Sequence, residues 1–71
     1  MYLLGKIEYL DNLVKELKNG VYQNRCAAIN MLEDIHNSEN KEIIKSALVD
    51  LKKTEFSAAV LYDINRVLLN L

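Results

Sequence analysis

An all-α fold of four antiparallel amphipathic helices is what this sequence predicts, on three observations. It has no proline and only two glycines in 71 residues, so little interrupts helix. Apolar residues fall in four runs at spacings of three and four, the period of one helical stripe. Each run ends in residues of the kind that stop or start helices. A chain of this length makes one domain, 1–71, with 51% apolar residues available for its core.

The first helix is expected at about 6–18, with Ile7, Leu10, Leu13, Val14 and Leu17 on its apolar stripe and Lys6, Glu8, Asp11, Lys15, Glu16 and Lys18 on other faces. Asn19-Gly20 should stop it, since both residues tolerate a left-handed C-terminal cap. The second, about 22–36, carries Val21, Arg25, Ala28, Ile29, Leu32 and Ile35 and ends at His36-Asn37. Ser38 is the expected N-cap of the third, about 39–52, with Glu39 and Glu42 in the first turn and Lys52 and Lys53 at the negative end. Its stripe is Ile43, Ile44, Ala47, Leu48 and Leu51. Thr54 should cap the fourth, about 55–70, with Glu55 in its first turn. That stripe is Phe56, Ala59, Val60, Ile64, Val67 and Leu68, with Leu71 at its edge. Links of about 2–4 residues force neighbouring helices to run antiparallel, as two helical hairpins.

The hairpins also repeat. Leu10, Leu13, Val14 and Leu17 superimpose on Ile44, Ala47, Leu48 and Leu51 at an offset of 34. Ala28, Ile29, Leu32 and Ile35 superimpose on Val60, Leu61, Ile64 and Val67 at an offset of 32, which predicts a second hairpin turn two residues shorter than the first. Periods of this size belong to helix-pair stacks.

On these residues the chain resembles HEAT-like repeats. Leu13-Val14-Lys15-Glu16-Leu17 matches the end of that pattern's first helix, and Arg25, Ala28, Ile29 and Leu32 match the opening of its second. Ala47-Leu48-Val49-Asp50-Leu51 and Phe56, Val60, Leu61 and Ile64 match in the second unit. Ser57 stands where a second arginine belongs, Asn24 where valine is usual, and neither turn has the usual aspartate. The resemblance spans about residues 7–71. It implies two stacked hairpins that bind macromolecules through a concave surface, and no specific ligand. A closed four-helix bundle is the alternative arrangement. The apolar ends, Tyr2-Leu3-Leu4 and Val67-Leu68-Leu69-Asn70-Leu71, either cover their own core or offer a surface to a partner or a second copy.

The chemistry of the side chains points away from catalysis. Cys26 and His36 lie ten residues apart on one helix, about 15 Å of rise, and form no dyad within it. One histidine and one cysteine are too few for a metal site, and no glycine-rich phosphate loop is present, so no cofactor or metal is expected. Glu33 and Asp34 point about 100° apart and read as a solvated helix edge. Net charge is −1, and Lys41, Lys45, Lys52 and Lys53 are offset by Glu39, Glu42 and Asp50, which argues against nucleic acid. No apolar run approaches the roughly 18 residues of a membrane span, and the short start Met1-Tyr2-Leu3-Leu4 with a lone Cys26 suggests the cytoplasm.

Tyrosine is enriched at the centres of protein interfaces, which draws attention to Tyr9, Tyr22 and Tyr62. Tyr62 with Asp63 and Arg66 is the first candidate patch; Asn30, Glu33, Asp34 and Asn37 form a second, and Leu68 and Leu71 mark a possible apolar end. The expected function is a small non-enzymatic protein-binding module: an adaptor, an inhibitor or an immunity-type neutraliser. A homodimer pairing through the terminal helices is the alternative, and a nucleic-acid-binding repeat ranks third.

Overall fold

The computed structural model describes residues 2–71, with side chains from position 8 onward. The side chains of Ile7 on the first stripe, of Lys6 on another face and of the apolar start lie outside those described. Among those described there are four helices and no strand: α1 (Tyr2–Glu16), α2 (Tyr22–Ile35), α3 (Lys41–Lys52) and α4 (Ala58–Asn70). None is long and apolar enough to cross a membrane. α1 starts four residues earlier than the sequence suggests, running through Gly5, whose helix penalty of about 1 kcal/mol does not stop it.

The core takes the predicted stripes from all four segments. Leu13, Leu17, Ala28, Ile29, Leu32, Ile44, Leu48, Val60, Ile64 and Val67 are buried together. Leu10, Val14, Cys26, Ile35, Ala47, Leu51, Leu68 and Leu71 pack around them. α2 makes its most extensive packing with α4, α1 lies against α2, and α3 lies against α4. Four assignments fail at the edges of the stripes: Val21, Ile43, Ala59 and Phe56 are exposed.

The links differ from expectation in both length and chemistry. Each is five residues long (17–21, 36–40 and 53–57), so the second hairpin turn is not the shorter one. Asn19-Gly20 adopts no left-handed conformation, as no described residue has a positive φ. α1 instead tightens into three-residue turns, with the amides of Leu17, Lys18 and Asn19 bonded to the carbonyls of Val14, Lys15 and Glu16. Asn19 then organises the turn, its Oδ1 accepting from the Val21 amide at 2.9 Å and its carbonyl accepting from Arg25 Nη1 at 2.8 Å.

Ser38 does not cap α3. Asn37 does this work one turn before the helix, its Oδ1 accepting from the amides of Glu39 (2.8 Å) and Asn40 (2.9 Å). Asn40 answers, its Oδ1 accepting from the Asn37 amide at 2.7 Å, while its Nδ2 donates to the Ile35 carbonyl at the end of α2. This is the reciprocal logic of a capping box, with asparagine at both ends. His36 closes α2 from the same link, with its amide and ring Nδ1 both directed at the Glu33 carbonyl. Asn37→Ala is therefore expected to cost about 1 kcal/mol in a urea titration followed by helical circular dichroism, and Ser38→Ala close to nothing.

Thr54 does not cap α4 either. Its hydroxyl donates back to the Leu51 carbonyl, and Ser57 is the cap, its Oγ accepting from the Val60 amide at 3.5 Å. The helix starts late because Glu55 is held elsewhere, in a two-point ion pair with Arg25 Nε and Nη2, each contact 2.8 Å. Phe56 is consequently left outside α4, 97% exposed.

Candidate functional site

α2 and α4 lie side by side and parallel. Asn30 Nδ2 donates to Asp63, Arg66 Nη1 to Glu33 at 2.7 Å, and Asn70 Nδ2 to Glu33 at 2.8 Å, so numbering rises together along both helices. Arg66 Nη2 also donates to Asn30 Oδ1 and lies 3.7 Å from Asp63. The two patches expected on separate helices are thus one seam: Asn30 and Glu33 from α2, Asp63 and Arg66 from α4.

Electrostatics fix this seam. The Arg66 guanidinium and then the Asn70 amide hold the Glu33 carboxyl below its ordinary value, and Glu33 raises Arg66 in turn. Beneath them, burial and then Asp63 push the Cys26 thiol up, keeping it protonated and a poor nucleophile. Cys26 packs as a small apolar side chain against the core.

The remaining site residues scatter. Tyr62 borders the seam and is 69% exposed. Leu69, two helical turns further along, is 88% exposed on the same face, with exposed Asn65 between them. Asp34 is exposed on α2, while Asn37 is spent in the cap. Leu68 and Leu71 do not belong to this surface, since they pack against the chain's own core. Leu69 and Asn70 were missed by the sequence reading. The spacing of seven from Tyr62 to Leu69 carried the signal for the first, and nothing local marked the second.

A second cluster sits at the opposite end of α4. Both hairpin turns meet there in a cleft of about 370 Å³ lined by Lys18, Gly20, Arg25, Leu51, Glu55 and Phe56, among others. Arg25 holds the Glu55 carboxyl below its usual range and is itself raised by Glu55. No group of three or more metal-binding side chains occurs among the described residues. Comparison with protein-family models, with curated proteins and with solved structures found no match.

Proposed function

We propose that this chain is a non-catalytic protein-binding module that engages its partner through the face formed by α2 and α4. One observation carries the reading. Tyr62 and Leu69 stand exposed on a rigid helix beside a seam whose polar groups are already held by one another. Side chains ordered before binding lose little freedom on association, and an exposed tyrosine beside an arginine is a common centre of binding energy. An adaptor, an inhibitor and an immunity-type neutraliser all fit this reading.

A HEAT-like stack is the arrangement we favour over a closed bundle. The helices expected to be repeat equivalents, α2 and α4, pack most extensively and in parallel. Two of their polar ties join residues 33 apart, within the range of offsets in the sequence repeat. Dimerisation through the apolar C-terminus has less to draw on, because Leu68 and Leu71 pack against the chain's own core and leave Leu69 as the exposed leucine of that run.

The test is a photo-crosslinking residue in place of Asn65, compared with one at Lys45 on α3. A protein captured only from Asn65 is expected, and Tyr62→Ala should weaken its binding about 30-fold without changing helicity. Identical capture from both positions would remove the basis for the proposal.

A further inference from the structure

We propose that the hairpin-turn end of the molecule is a docking tip for anionic lipid surfaces, with Phe56 as its wedge. The inference does not rest on the α2–α4 face. Phe56 is 97% exposed in the link between α3 and α4, and no described residue is a more exposed large hydrophobic. It lines one cleft with Lys18 and Gly20 of the other hairpin turn, so the two turns form a single tip. Val21 ends that turn and Tyr22 opens α2 directly after it, both about half exposed.

Charge at the tip is one-sided. Exposed at this end of the molecule are Lys15, Lys18, Lys52 and Lys53, against the exposed acids Glu16 and Asp50, while Arg25 and Glu55 neutralise each other; of the lysines, Lys18 lines the cleft itself. The tip therefore holds an excess of two positive charges in a chain whose net charge is −1.

The pairing of an exposed aromatic with a positive excess selects the partner. At an anionic bilayer, interfacial insertion of an aromatic and attraction of nearby lysines add together. The sequence gives no reason to expect a spanning segment, and surface association requires none.

The chain has no tryptophan, so Phe56→Trp introduces a single indole reporter at a position where it disturbs no packing. Its emission is expected to shift to the blue on phosphatidylcholine vesicles containing phosphatidylserine, and to return when salt is raised. In vesicle flotation of the full chain, Phe56→Ser should weaken binding about tenfold or more. Lys52→Gln with Lys53→Gln should weaken it about 25-fold, from about fivefold for each lysine. Tyr62→Ala should leave it unchanged, which separates this tip from the α2–α4 face. The proposal is overturned by an emission that vesicles do not shift, by equal binding to phosphatidylcholine alone, or by wild-type binding of Phe56→Ser. An equal shift on soluble polyglutamate would reassign the tip to an acidic protein surface and overturn it too.

Discussion

Leu32→Ala is expected to remove about 2–5 kcal/mol of stability, the usual range for a fully buried leucine whose methyl groups have no replacement. Leu32 is completely buried in a core to which all four helical segments contribute. A chain of 71 residues holds only about 4–11 kcal/mol in total, at about 0.05–0.15 kcal/mol per residue. The variant should therefore show a much lower urea midpoint by circular dichroism, with a partly unfolded population before denaturant is added. Met31→Ala, one position away but on an exposed site, should move the midpoint little. Equal effects from the two substitutions would contradict the burial pattern.

The second large effect belongs to Arg25→Met. The Glu55 side chain is 3% exposed and that of Arg25 is 17% exposed, so the ion pair is mostly shielded from water. Removing the arginine leaves a buried carboxylate without its counter-ion, which is far more costly than replacing both partners. Arg25→Met alone should thus lower the midpoint more than Arg25→Met with Glu55→Leu. A double variant less stable than the single one would show that Glu55 contributes without Arg25, through the hydrogen bond it accepts from the Ser57 amide, against this expectation.

The same pair sets a pH dependence. Glu55 is held below its ordinary value of 4.5, first by the hydrogen bond from Arg25. A depressed carboxyl binds fewer protons folded than unfolded, so its contribution is complete above the unfolded value and drains as pH falls through the folded one. Glu33 acts in the same direction. Urea midpoints should be level near neutrality and fall in the acid range below about pH 4.5, and Arg25→Met should flatten that fall.

The helices were readable from the sequence because burial follows the 3.6-residue period, as in Ile44, Leu48 and Leu51 or Val60, Ile64 and Val67. Their ends were not. Ser38 and Thr54 have the right chemistry for caps, but Asn37 and Asn40 satisfy each other while Glu55 is held by a residue 30 positions away. Phe56 shows the cost of that error. Three residues before Ala59 it reads as core, yet the helix begins only at Ala58. The candidate site was legible as residues and illegible as a place. Tyr62, Asp63, Arg66, Asn30 and Glu33 stood out by type, while their union depends on the register of α4 along α2, which no local pattern encodes. The repeat offset of 32–34 was the one hint of that register.

The seam also has a consequence for the order of assembly. Its polar ties join residues separated by 33 to 37 positions, about half the chain, whereas the ties within the turns span six or fewer. Closing a long loop costs more chain entropy than closing a short one, and local contacts form first. Each hairpin can thus collapse on its own before α2 and α4 meet. The surface that we assign to a partner exists only where α2 and α4 are docked, so a chain able to bind through it is one whose two hairpins have come together.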